Sequence, residues 1–332
     1  MAGYATCLMP QTSSRSRHRG RTEPYRDTTL PLQKGISMRL DDQRESNNIQ
    51  DDRGTGGPSI PGGIKIGGLG TIAIVLVGLY FGIDPRLLLS LTGNGGPVSS
   101  PAPSSLSPPR QTQGDPSGSD PQRRFVSRIL ASTEDVWSSI FKAHGKIYQP
   151  PILVLFDGAT RSACGTAQSA MGPFYCPVDQ KVYLDTSFFR ELQERLGAGG
   201  DFARAYVIAH EVGHHVQNQL GILGKITRRR EEADQGTANA LSVRLELQAD
   251  CFAGVWAKQA NDARAILEKG DIEQGLNAAD AIGDDRLQKR ARGYVVPDSF
   301  THGSSAQRVA WFRKGLQTGE VEACNTFTSP AL

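Results

Sequence analysis

Five residues constrain this chain more than any others: His210-Glu211-Val212-Gly213-His214 reads H-E-x-x-H. Ala203, Tyr206, Val207, Ala209, Val212 and Val216 around it recur as apolar residues at helical spacing, so the motif belongs on a helix inside a core. Imidazoles at i and i+4 stand one turn apart on the same face and can hold one Zn²⁺ between them. Glu211 is then placed to take a proton from a water that the metal activates. His215 points about 100° away from His214 and reads as structural or rim-facing. The same pattern without a metal would leave a helix carrying plain core or surface imidazoles.

Two histidines do not complete a catalytic zinc site, which takes three protein ligands and keeps one position open. The third candidate lies in the run 241–256, where Leu241, Leu245, Ala249, Phe252 and Trp256 mark a second apolar helix. Glu246 and Asp250 stand at i and i+4 along the border of that stripe. Burying an unpaired carboxylate is expensive, so these two must be paired or bind a metal. The reading assigns Glu246 as third ligand and Asp250 as acceptor for the ring N–H of a ligating histidine. A solvated edge of an amphipathic helix is the alternative.

Together with Cys164-Gly165, Gly172-Pro-Phe-Tyr-Cys-Pro177, Val182-Tyr-Leu-Asp185, His210–Gln217 and Glu246-Leu-Gln-Ala-Asp-Cys251, the chain resembles the bacterial neutral zinc metallopeptidase family. The resemblance covers roughly residues 125–327 and a short stretch at Met38. It implies a membrane-anchored peptidase with one zinc per chain, a peptide or protein substrate, and an α+β domain, mainly helical and zincin-like, with a small β-sheet. The E-x-x-A-D pattern is also similar to membrane gluzincins, which implies Glu246 rather than Asp250 as ligand. Thr301-His302-Gly303 followed by Arg308 resembles a late segment of those proteins, with Gly303 where proline is common. That likeness implies that His302 and Arg308 lie near the cleft, where His302, Tyr294 or Arg308 could steady an oxyanion. Read without it, the same stretch is a helix N-terminus, with Ser304 or Ser305 capping Gln307–Leu316 and Arg308 in a surface ion pair. Zinc peptidases of this kind bind extended substrate along a strand, for which Val182–Leu184 and Gly172–Tyr175 are candidates.

Composition bounds the rest. A net charge of +3 is too small to imply a polyanionic partner, and no basic stripe interleaves with aromatics, which excludes nucleic acid. Residues 1–63 are polar and aperiodic and are expected to be disordered. The resemblance implies a start at Met38, making residues 1–37 an upstream extension or a dispensable tail. Ile66–Ile83 is an uncharged, largely apolar run of 18 residues, so residues 64–83 are expected to form one transmembrane helix. A buried core helix competes, but polar sequence on both sides gives it nothing to pack against. Residues 84–122, rich in Pro, Ser and Gly, read as a linker, and 123–332 as the peptidase domain.

Cys164, Cys176, Cys251 and Cys324 all follow the apolar run, an even number that suits disulfides outside the cytosol. Proximity in sequence favours Cys164–Cys176, leaving Cys251–Cys324, from three possible connectivities; Cys7 is left over. A cytoplasmic N-terminus and an extracytoplasmic catalytic domain, periplasmic or outside, follow from this reading. Phe125–Ala143 should open the domain as a helix, with Val126, Ile129, Leu130, Val136, Trp137, Ile140 and Phe141 inward and Ser132, Asp135 and Ser138 wet. Ile152–Phe156 and Lys181–Leu184 suit strands, and helices should dominate after Thr186. Two other functions fit the same residues: a membrane-tethered scaffold with a structural zinc, and a zinc amidase acting on cell-wall peptide.

Overall fold

The computed structural model describes residues 38–54, 120–168 and 172–328, all within one unit spanning Ile36–Leu332. The chain enters at strand β1 (Ile49–Asp51) and helix α1 (Pro121–Ala143), which is capped by the Asp120 carboxylate on the amides of Gln122 and Arg123. Strands β2 (Ile152–Phe156), β3 (Ala159–Ser162), β4 (Gly165–Gln168), β5 (Phe174–Cys176) and β6 (Lys181–Asp185) follow. The remainder is helical: α2 (Phe188–Glu194), α3 (Asp201–Gln219), α4 (Ile222–Glu231), α5 (Gln235–Arg264), α6 (Asp271–Ala281), α7 (Asp284–Arg292) and α8 (Ser305–Thr318). This is the expected α+β class with a small sheet.

The four-stranded sheet has the order β1-β2-β6-β5, with β1, β2 and β6 parallel and β5 antiparallel on one edge. Hairpin β3-β4 forms a separate two-stranded sheet. Both expected disulfides are present. Cys164–Cys176 pins the hairpin turn to edge strand β5, and Cys251–Cys324 ties the C-terminal segment to α5.

One core joins sheet and helices. Leu153, Leu155, Val182 and Leu184 of the sheet meet Val126, Ile129, Leu130 and Trp137 of α1 and the apolar faces of α3 and α5. Helix α5 packs closely on α8 because both surfaces are glycine at the crossing. A Cβ on Gly254 would strike the backbone of Phe312, and one on Gly315 the carbonyl of Cys251. That contact sets α8, and with it Arg308, beside Asp250.

Two expectations fail here. Ser132 is not on a wet face: it is 2% exposed and accepts a 3.1 Å hydrogen bond from Trp256 Nε1, so a polar side chain serves the core by satisfying an indole. Residues 38–54 are not disordered either. Met38 and Leu40 are buried in the main core, β1 pairs with β2, and Arg44, Ser46 and Asn48 all hydrogen-bond the Glu134 carboxylate. A polar segment is ordered by a few apolar anchors and by the need of a buried carboxylate for donors. Among the described residues no helix is long and apolar enough to cross a membrane. The expected span at 64–83 and most of the linker 84–122 lie outside the described residues.

Candidate metal centre

Helices α3 and α5 bring His210, His214 and Glu246 together so that one nitrogen or oxygen from each lies within 4.8 Å of the others. The helices can approach because Gly213, between the two histidines, faces Ala249, between Glu246 and Asp250. A Cβ on Gly213 would sit 3.0 Å from the Ala249 carbonyl oxygen. Both Nε2 atoms face the same carboxylate: His210 Nε2 is 3.2 Å from Glu246 Oε2, and His214 Nε2 is 3.5 Å from Oε1.

The opposite ring nitrogens are held from behind, each by a different chemistry. His210 Nδ1–H donates to Asp250 Oδ1 at 2.8 Å. That oxygen also accepts from the Tyr206 hydroxyl at 2.5 Å and from Arg308 Nη2 at 2.9 Å, while Oδ2 accepts from Arg308 Nε at 2.9 Å. Asp250 is fully buried and Arg308 is 3% exposed. His214 Nδ1–H donates instead to Gln217 Oε1 at 2.9 Å, and the Gln217 amide donates on to the Leu245 carbonyl at 2.7 Å and Gln248 Oε1 at 3.1 Å. Both rings are thereby fixed as Nδ1–H tautomers with Nε2 turned to the shared point, which is the donor arrangement zinc takes. The set fits a divalent ion: two imidazoles that can bind as neutral donors and one carboxylate, the three protein ligands a catalytic zinc takes.

In the metal-free protein the charges follow this geometry. Burial opposes ionisation of Asp250, but Arg308 and His210 outweigh it and bring the carboxyl down to about 2. Burial likewise opposes protonation of His210, yet Asp250 and Glu246 raise it to about 10. His214 is raised by Glu246 against its desolvation, and Glu246 is held well below the usual carboxylate range by the two histidines. Glu211, 8% exposed, goes the other way: burial pushes its carboxyl up. No hydrogen bond engages that carboxylate among the described residues.

His302 stands in the loop before α8, its side chain half exposed. Its Nδ1 lies 3.2 Å from Asp284 Oδ1, while Asp284 Oδ2 accepts from the amides of Thr301, His302 and Gly303 at 2.8, 2.7 and 3.1 Å. Desolvation lowers the imidazole's pKa, but the Asp284 hydrogen bond and the Glu246 charge raise it further. Gly303 has φ +91° and lies against Val243 and Leu247, so this loop packs on the helix that carries Glu246. Ser304 does cap α8, forming a capping box with Gln307.

Arg308 is no surface ion pair, and its guanidinium faces the back of His210, so it is not an oxyanion donor. Tyr294 is 54% exposed and lies under the Arg292 guanidinium, with no contact to the triad among the described residues. His215 is buried and binds the Tyr175 hydroxyl and the Gln149 carbonyl, locking α3 to edge strand β5. Val182 and Tyr183 are paired on both sides, by β2 and β5, and Leu184 by β2, so the middle of this strand offers no edge to a substrate. Gln217 and Tyr206 were not legible in the sequence as parts of the site. Gln217 stands three residues after His214, the one signal that could have found it.

A family model described as "Putative neutral zinc metallopeptidase" matches residues 38–327. The uncharacterised protein YpfJ of Escherichia coli is 50% identical over 297 residues, covering 87% of this chain and 99% of its own length. An uncharacterised protein of Mycobacterium tuberculosis is 44% identical over 228 residues, 65% of this chain and 75% of its own. No solved structure matches.

Proposed function

The chain belongs to the neutral zinc metallopeptidase family, and on that premise we propose that it hydrolyses peptide bonds with one zinc held by His210, His214 and Glu246. The observation that carries this reading is the pair of Nε2 atoms aimed at one carboxylate while Asp250 and Gln217 fix the opposite nitrogens. Bound Zn²⁺ supplies Lewis-acid polarisation of a carbonyl and lowers the pKa of a water to near neutrality.

The chain's own groups do the rest. Glu211 takes the proton of the attacking water and returns it to the departing amine; burial raises its carboxyl, the direction that favours carrying that proton. His302, steered by Asp284, donates a hydrogen bond to the developing oxyanion. An extended peptide adds to the free side of β5, which pairs only with β6 among the described residues. The Cys164–Cys176 bond holds hairpin β3-β4 beside that edge. The buried, unengaged Glu211 argues against a scaffold with a structural zinc, which has no use for a base. Two disulfides support a compartment outside the cytosol, and Ile66–Ile83 supports contact with a lipid bilayer.

The test uses the purified full-length chain, assayed for zinc by elemental analysis and for cleavage of unfolded casein and of cell-wall peptide. Glu211→Gln should keep zinc and lose at least about 10²-fold of the activity. Undiminished cleavage by that variant overturns the assignment, and cleavage of cell-wall peptide alone converts the reading to an amidase.

A further inference from the structure

Residues 38–54 precede the apolar run Ile66–Ile83 and residues 120–328 follow it, yet the structure folds them into one core and one sheet. Leu153 N donates to the Asn48 carbonyl at 2.8 Å, Asp52 N to the Leu155 carbonyl at 2.8 Å, and Arg39 N to the Ile266 carbonyl at 2.9 Å. Glu134, 6% exposed, takes donors from Ser46, Asn48 and Arg44 at 2.5, 2.8 and 2.8 Å. Without segment 38–54 that carboxylate would lose these partners, Met38 and Leu40 would leave the core, and β2 would lose one neighbour. The two ends also meet: Arg53 Nη2 lies 2.5 Å from Asp120 Oδ2 and from Asp51 Oδ2.

A helix that crossed a bilayer once between residues 54 and 120 would put about 30 Å of hydrocarbon between β1 and β2. No exchange between copies repairs this, because every copy inserted in the same sense has its residues 38–54 on the far side. Two crossings would need two spans of about 20 apolar residues each. Residues 55–119 hold a single run of 18, closed by Asp84-Pro85.

We propose that residues 38–54 and 120–328 occupy the same compartment, so that the stretch between them makes no single net crossing of a bilayer. The cytoplasmic N-terminus expected from the sequence is thereby replaced: both flanks lie where the disulfides form.

The test places one new thiol on each flank of the full chain, in a Cys7→Ser background expressed in its native cell type. Asp41→Cys replaces a fully exposed side chain and Val178→Cys a residue that is 70% exposed. Each is treated with a membrane-impermeant maleimide before and after stepwise opening of the cell envelope. Both variants should label at the same step and to the same extent. Labelling of one flank before the cytoplasmic membrane is opened and of the other only afterwards overturns the proposal. As a second readout on the unsubstituted chain in detergent, the Asp52 amide should be protected from hydrogen exchange together with the amides of β2; free exchange there would break the pairing on which the topology rests.

Discussion

The charged and the neutral sides of the metal centre perform the same task with opposite chemistry, though both supports are buried. On the charged side His210 leans on a fully buried Asp250, whose charge Arg308 neutralises and whose remaining lone pairs Tyr206 helps to fill. On the neutral side His214 leans on the equally buried Gln217, an amide that passes its own hydrogens to the Leu245 carbonyl and to Gln248. A buried ion pair tolerates no partial removal, because the surviving charge is left without a partner. A neutral relay loses only hydrogen bonds. The two histidines of one motif therefore should not be equally sensitive to loss of their supports.

The sharpest way to break this comparison is Asp250→Ala. It strands Arg308, and the expected cost is about 3–5 kcal/mol of stability together with about 10–100-fold in zinc affinity. Chemical denaturation and a zinc titration against a competing chelator would check both. Combining it with Arg308→Met should return part of the stability but not the affinity, since the His210 tautomer stays unsupported.

Gln217→Ala comes next. A lost acceptor and two freed partners should cost about 1–3 kcal/mol and weaken zinc binding about tenfold, less than the loss of Asp250. Equal losses from Asp250→Ala and Gln217→Ala would remove the distinction between the two supports.

Protonation sharpens the same contrast. His210 is raised to about 10 in the metal-free chain, so its contribution to stability is fully present below its unfolded value of 6.5 and is lost as pH rises through about 10. Asp250, lowered to about 2, contributes above its unfolded value of 3.8 and loses that contribution as pH falls from there through about 2. Zinc must displace the His210 proton, so its affinity should rise with pH over the alkaline window in which the metal-free chain weakens. Thermal melts with and without chelator across that range should diverge increasingly toward high pH. The smallest effect is expected from Gly213→Ala, where the added methyl needs only a few tenths of an ångström from Ala249: about 1 kcal/mol, the low end for an overpacked core, read by thermal melting.

Much of the centre was legible because its residues repeat at fixed intervals on two amphipathic helices: His210 with His214, and Glu246 with Asp250. Helical periodicity gives both the face and the spacing of such pairs. Gln217 and Tyr206 were hidden, since an amide or a hydroxyl on a helix carries no signal until its partner on another helix is known. Asp284 was hidden for the same reason: it opens α7 and acts on backbone amides seventeen to nineteen residues later. Segment 38–54 misled most. Its average composition is that of an unfolded chain, while its order depends on two buried apolar residues and on contacts with Glu134 some ninety residues away. Composition averages over a stretch, whereas long-range pairing acts through single residues.

The central claim is tested most directly by the zinc-edge X-ray absorption spectrum of the zinc-loaded full-length chain. The account requires a first shell of nitrogen and oxygen only, at about 2.0–2.2 Å, with the multiple-scattering pattern of two imidazoles. Loss of one imidazole, or a sulfur contribution near about 2.3 Å, would contradict it.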